Sequence, residues 1–233
     1  KLQLRDLESL YRSQSSPQGE DLGAEYTMEL VRETNLAPEA TLEVLDYAQS
    51  SGLIPLCTPW DRSSAEILIE YNIPAIKVAS ADLTNHPLLS YLSTTGTPLI
   101  VSTGMSTEEE IEEATLVLKS GSSSFAVLHC NSAYPAPFKD LNLVYMERLA
   151  SLCDCHVGYS GHERGHHVAV AAVALGARIV EKHITLNRFG RGNDHRVSLE
   201  PDEFALMVKE VREVEAALGS KRPRRITQGE ALN

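Results

Sequence analysis

Along most of the chain a short β-rich apolar run is followed by polar or Gly residues and then by a helical period, and the unit repeats. The runs Leu53–Leu56, Ala75–Val78, Leu99–Val101, Ala126–Leu128, His156–Gly158 and Ile179–Ile184 each predict a strand. Helices are predicted after them near 63–71, 87–93, 107–119, 142–152, 167–175 and 201–218. Thr107 and Glu110 form a capping-box signature at the third of these helices, and Pro201, Asp202 and Glu203 open the last, which stops before Gly219. Strands alternating with helices are the signature of a parallel sheet with crossover helices. Ahead of these units, residues 4–23 are polar and Ser/Gln/Gly-rich and predict a long loop, followed by helical stretches near 26–34 and 38–51.

Two α/β architectures compete. A doubly wound sheet carries a Gly-rich phosphate loop in its first βα turn, and neither G-x-G-x-x-G nor G-x-x-x-x-G-K-[ST] occurs. A (β/α)8 TIM barrel instead gathers polar residues at the C-terminal ends of its strands. Those ends read Thr58; Lys77, Ser80 and Asp82; Ser102 and Thr103; His129, Asn131 and Ser132; Ser160 and His162; Lys182, His183 and Thr185. Every run ends in groups able to do chemistry, so the expected fold is an α/β TIM barrel over residues 1–219. Lys221–Arg225 reads as the start of an exposed linker.

Charge and composition narrow the function. Lys+Arg 21 against Asp+Glu 32 gives −11, which leaves no basic footprint for nucleic acid or an anionic membrane. An anionic ligand must therefore be held by locally placed cations. The longest apolar run, 168–177, is far short of a membrane span. Four cysteines without a C-x-x-C pair read as reduced thiols, and the expected location is cytoplasmic.

Several residues stand out. His162 and His183 end consecutive strands, with His129 one strand earlier, and neighbouring strands lie about 4.8 Å apart, so two such imidazoles are able to share a metal; satisfied core or helix-capping histidines are the alternative. His166, His167 and His195 read as helix-start and loop residues. Lys77 interrupts the apolar strand Ala75–Ser80, where a buried amine needs an anion or a Schiff base, unless it snorkels to water from an edge. Ser80, Ser102, Ser132 and Ser160 after four strands suggest an anion cradle beside it. Asp82, Glu163, Glu181 and Asp194 are candidate acids or bases, with Glu163 and Glu181 open to a solvated or supporting role. The mixed-charge loop Arg188–His195 is a candidate lid.

The motifs Thr58-Pro59, Pro74–Ser80, Ser102–Met105, Leu128–Pro135, Gly158–Glu163, Ala172–Ala177, Glu181–Leu186 and Ser198–Pro201 follow one another in the order of a known family. The sequence resembles the sialic acid synthases, which condense phosphoenolpyruvate with an N-acetylhexosamine. The resemblance implies a barrel that binds phosphoenolpyruvate and a divalent metal, Mn2+ first, with Mg2+ or Co2+ as alternatives. By motif, His162 and His183 would be the metal ligands, and Lys1, Thr58, Lys77, Ser80, Ser132 and Ser160 would surround phosphoenolpyruvate. Asp82 matches an acidic site position, and Asp194 matches the acidic residue of the loop that handles the sugar. It implies a nine-carbon 2-keto acid and phosphate as products from an N-acetylmannosamine-like sugar, its 6-phosphate or a diacetamido hexose.

Relative to that family, Lys1–Gln3 matches the end of the second barrel strand. The first strand and helix are expected before Lys1, and 220–233 is expected to lead to a C-terminal antifreeze-like domain. A homodimer is expected of the intact protein. The alternatives are an amidohydrolase-type metal barrel, which would want an Asp ending the last strand where Glu181–Thr185 has none, and a catalytically inactive barrel fragment.

Overall fold

The computed structural model of the chain describes residues 1–10 and 24–231. Seven strands form one wholly parallel sheet: β1 (Leu2–Leu4), β2 (Cys57–Pro59), β3 (Ile76–Val78), β4 (Leu99–Ser102), β5 (Phe125–Cys130), β6 (His156–Gly161) and β7 (Val180–Lys182). Spatial order follows chain order, so each crossover lands beside the strand it left. The helices are α1 (Leu7–Leu10), α2 (Ala24–Thr34), α3 (Pro38–Ser50), α4 (Arg62–Glu70), α5 (His86–Ser93), α6 (Glu108–Lys119), α7 (Tyr145–Cys153), α8 (His167–Ala174), α9 (Pro201–Leu218) and the single turn α10 (Gln228–Ala231). Lys1 Nζ lies 3.1 Å from Glu181 Oε2, so the sheet curls until its first and last strands meet through side chains across the interior. Among the described residues, β1 and β7 each have one edge without a strand partner. A parallel bridge from Ile184 to Leu199 continues the pairing just past β7.

The period of two along each strand sorts residues between the two faces. Leu4, Cys57, Ile76, Val78, Leu99, Val101, Val127 and Val157 are buried against the helix layer, where they meet Leu68, Leu89, Leu92, Ile111, Leu118, Leu149 and Ala169. Each such side chain contributes about 1.5–3 kcal/mol on full burial. The opposite parity places Lys1, Gln3, Thr58, Lys77, Ser102, Cys130, Ser160, Glu181 and His183 on the concave face. Gly158 belongs to that parity and must lack a side chain, since a Cβ there would stand 2.4 Å from Ile179 O and 2.5 Å from Leu128 Cδ2.

Three expectations shift. The strand expected at 53–56 lies at Cys57–Pro59, because α3 ends in a turn with Gly52 at φ +81 and Leu53 N bonded back to Ala48 O. Leu53 and Ile54 are consequently exposed. The loop expected from residue 4 starts later, since Leu4 pairs in β1 and Leu7–Leu10 form a helical turn; its remainder, 11–23, lies outside the described residues. The linker expected over 220–233 contains the turn α10, started by Thr227 and Glu230. The capping box of α6 is present in both directions, Glu110 N to Thr107 Oγ1 at 3.3 Å and Thr107 N to Glu110 Oε2 at 2.7 Å.

Candidate active site

At the C-terminal ends of the strands a cavity of about 280 Å³ opens on the concave face. Its floor is a charge cluster. Lys77 Nζ, on a residue 2% exposed, donates to Val78 O at 2.6 Å and Ser102 Oγ at 2.7 Å, and stands 3.8 Å from Glu181 Oε1. Burial pulls the Lys77 amine down to about 8, and Glu181 opposes that fall. Glu181 also takes Lys1 at 3.1 Å and the Ser160 hydroxyl at 2.8 Å. Burial alone would raise its carboxyl, but Lys77 and Lys1 outweigh burial and hold it at about 2. The two lysine ammonium groups around one carboxylate leave a net positive charge on the floor. That answers how an acidic chain can receive an anion.

Hydroxyls line the wall. Thr58 Oγ1 is buried and has no hydrogen-bond partner among the described residues. Such an orphan costs about 1–3 kcal/mol until a ligand pairs with it. Ser80 Oγ accepts from Gly104 N at 3.1 Å. A Cβ on Gly104 would lie 2.3 Å from Ser132 Oγ, 2.9 Å from Ser80 Oγ and 3.2 Å from Cys130 Sγ. A glycine is thus what lets strand ends β3, β4 and β5 bring these groups together.

At the mouth stand His162 and His183, ring centroids 5.3 Å apart. His162 Nδ1 is 2.7 Å from Asn131 O, and a carbonyl only accepts, so Nδ1 carries the proton and Nε2 presents a lone pair. In this structure that lone pair accepts from Tyr134 OH at 2.9 Å, and the two rings stack at 4.2 Å. Burial depresses the His162 imidazolium, but Cys130 at 3.6 Å and the Asn131 carbonyl outweigh it and raise the pKa. His183 Nδ1 lies 3.7 Å from Asp194 Oδ2, and burial lowers its pKa against the pull of Asp194. Two imidazoles facing one another are a fitting pair of donors for a borderline divalent ion. Among the described residues no group of three or more His, Cys, Asp or Glu is placed to hold a metal ion, so the two imidazoles are the donors the chain offers here.

Of the residues singled out from sequence, Lys1, Thr58, Lys77, Ser80, Ser132, Ser160, His162, His183 and Asp194 all line this cavity. Asp82 does not. It is buried in the turn Ser80–Asp82, where Asn85 Nδ2 donates to Oδ1 at 3.1 Å and Oδ2 has no partner among the described residues. His129 falls on the convex parity, bonded to Leu141 O at 2.6 Å and flanked by the rings of Tyr145 and Tyr159. In the loop expected to be a lid, Arg191 reaches Glu33 at 3.0 Å and Glu29 at 3.4 Å in exposed ion pairs, and Arg188 pairs with Glu203. His166 pairs with Glu210, and His195 Nδ1 meets Thr185 Oγ1 at 2.7 Å, in keeping with cap and loop roles.

Sequence reasoning passed over Gln3, Arg5, Trp60, Cys130 and Tyr134, which also line the cavity. Arg5 stacks over the Trp60 indole at 4.6 Å, and Trp60 Nε1 donates to Gln3 Oε1 at 3.0 Å. The parity of Gln3 with Lys1, and of Cys130 with Leu128, was the available signal. Nothing in the local sequence marks Trp60 or Tyr134, which reach the site from loops.

Known proteins resemble the chain in sequence and in fold. An uncharacterised protein of Methanocaldococcus jannaschii is 44% identical over 193 residues, covering 82% of this chain and 57% of that protein. The N-acetylneuraminate-9-phosphate synthase of Mus musculus is 41% identical over 179 residues, covering 76% of this chain and 50% of that enzyme. The chain thus spans about half the length of these curated relatives. The crystal structure of the N-acetylneuraminic acid synthetase of Leptospira borgpetersenii, solved with citrate, superposes with a TM-score of 0.87 at 30% identity, covering 99% of this chain and 77% of that one. The family model described as NeuB matches residues 1–223, and the chain belongs to the NeuB family.

Proposed function

We propose that this chain belongs to a synthase that condenses phosphoenolpyruvate with an N-acetylmannosamine-like sugar, giving a nine-carbon 2-keto acid and inorganic phosphate. The observation that carries this reading is the floor of the cavity, where Lys77 and Lys1 flank Glu181 beneath the hydroxyls gathered at Gly104. It is a cradle for a small, multiply charged anion, set directly below two imidazoles. The activity named for the mouse relative and the family membership support the same chemistry. They leave the amidohydrolase alternative without support.

In this reading Lys77 and Lys1 bind the phosphate and carboxylate of phosphoenolpyruvate, and Thr58, Ser80 and Ser132 donate hydroxyl protons to them. The low dielectric around Lys77 strengthens that pairing and draws the amine back toward full protonation. Carbon 3 of phosphoenolpyruvate bonds to the aldehyde carbon of the open-chain sugar, water adds at carbon 2, and the adduct expels phosphate. His162 and His183 would hold a divalent ion, Mn2+ foremost, which when bound polarises the sugar aldehyde as a Lewis acid. Asn131 fixes the His162 tautomer for that task. Asp194, exposed at the mouth beside His183, is placed to take or return a proton at a sugar hydroxyl.

The test is phosphate release by the whole protein. It is expected to require phosphoenolpyruvate, N-acetylmannosamine and Mn2+ together, to stop on chelation and to resume when Mn2+ is restored. Release at the same rate without the sugar overturns the reading.

A further inference from the structure

Behind the cavity, on the convex side of β6 and β7, lies a charge pair that the proposed chemistry does not use. Glu163 and Lys182 are fully buried, with both side chains 0% exposed and Lys182 Nζ 2.9 Å from Glu163 Oε1. The same ammonium also donates to Glu163 O, and Tyr159 OH donates to the other carboxylate oxygen, Oε2, at 2.7 Å. Every oxygen of the carboxylate is therefore satisfied, and the three side chains close into one unit across two strands. Glu163 follows His162 directly, and Lys182 precedes His183 directly. The register of β6 and β7 pairs Gly161 with Lys182, so the unit sits at the last rung of the ladder.

A buried ion pair is a poor way to gain stability. Desolvating two charges costs about as much as their attraction returns, and apolar residues of similar volume commonly do as well or better. What such a pair does supply is direction. It holds two strand ends at one separation, where apolar contacts would let them slide. Parity does the rest, because a residue fixed on the convex face fixes the orientation of its neighbour on the concave face.

We infer that the Glu163–Lys182 pair, locked by Tyr159, is a positioning clamp that sets the spacing of His162 and His183; this rests on the reading of those histidines as metal ligands. Gly161 belongs to the device. A Cβ at position 161 would stand 2.7 and 2.9 Å from the two Glu163 carboxylate oxygens and 2.8 Å from Tyr159 Cε1. The carboxylate thus occupies the space a side chain at 161 would fill, and an Asp placed there could deliver a carboxylate to the same point from the strand itself.

That substitution pattern provides the test, made on the full chain. In Glu163→Leu/Lys182→Met no charge is left bare, and denaturant unfolding is expected to show an intact fold. Its Mn2+ affinity, titrated by electron paramagnetic resonance, is expected to fall at least about tenfold, the scale on which supporting contacts act on ligating histidines. Gly161→Asp/Glu163→Ala is expected to recover affinity to within about threefold of wild type, whereas Gly161→Asp alone crowds two carboxylates and does not. In metal-free protein the imidazole nitrogen resonances of His183 are expected to move in the apolar variant, although neither substituted side chain touches that ring. Unchanged Mn2+ affinity in the apolar variant together with an unmoved His183 resonance overturns the clamp. If wild type takes up no Mn2+, the metal reading falls, and the His183 resonance alone decides the clamp: moved, it stands; unmoved, it fails.

Discussion

Replacing Lys77 by Met separates what the buried amine costs the fold from what it does for a ligand. The folded protein holds this amine at about 8 against an ordinary 10.5. At about 1.4 kcal/mol per pH unit, keeping it charged at neutral pH costs the native state about 3 kcal/mol. The sign follows from proton counts. Between pH 8 and 10.5 the native amine has released its proton while the unfolded amine keeps it, so the unfolded state binds more protons and stability rises with pH. Below pH 8 the cost is present in full, and above 10.5 it is gone. Other groups titrate in the same window, notably Cys57, whose thiol burial pushes up to about 11. The informative quantity is therefore the difference between wild type and Lys77→Met, measured by urea unfolding at several pH values from 7 to 10.5. That difference is expected to shift in favour of wild type by about 3 kcal/mol across pH 8–10.5. Met matches the aliphatic stem, and Glu181 keeps Lys1 and Ser160, so the variant is expected to fold and to be no less stable than wild type at pH 7. Phosphoenolpyruvate binding should respond in the opposite sense. Losing one charged hydrogen bond, worth about 1.5–3 kcal/mol, weakens affinity roughly 10- to 150-fold in calorimetric titration. A flat stability difference over that pH window, with affinity kept within about threefold, would refute the assignment of Lys77 as a desolvated anion-binding cation.

Gly104→Ala drives a methyl group against Ser132 Oγ and Ser80 Oγ, the movable ends of small side chains, so the fold is expected to survive while phosphoenolpyruvate affinity drops about tenfold; equal affinity by calorimetry counts against the cradle. Tyr134→Phe removes the hydroxyl that occupies His162 Nε2, and Mn2+ titration is expected to show binding at least as tight as in wild type. A clear loss of affinity there means that the tyrosine oxygen itself supports the ion. Asp61→Ala removes the cap of α4, whose carboxylate accepts from Ser64 N at 2.7 Å and from Asp6 N, and is expected to lower unfolding free energy by about 1–2 kcal/mol without altering ligand binding.

Much of this architecture is legible in the sequence because two periodicities overlap. Strand parity requires that Lys77, set between Ile76 and Val78, face away from whatever buries its neighbours. The same argument puts Glu181 and His183 together on the concave face and sends Lys182 to the other. What parity cannot show is where a strand stops. Asp82 and Glu163 both lie beyond their strands, in turns shaped by local bonds: Asn85 ties Asp82 within its own turn, and Lys182 draws Glu163 behind the sheet. His129 looks like a third imidazole for the site only if β5 is taken to end two residues early, at Leu128. With Cys130 still in the strand, His129 must point outward, and it is Cys130 that faces His162. The glycines carry the remaining information in the least readable form. Gly104, Gly158 and Gly161 have ordinary backbone angles, and what each does is leave room for a named neighbour: a serine pair, a leucine, a carboxylate. Only the packed structure reveals those neighbours. A site whose polar groups are assembled from strand ends is thus visible in sequence as a list of side chains, while the spacing that makes the list reactive is set by residues that have none.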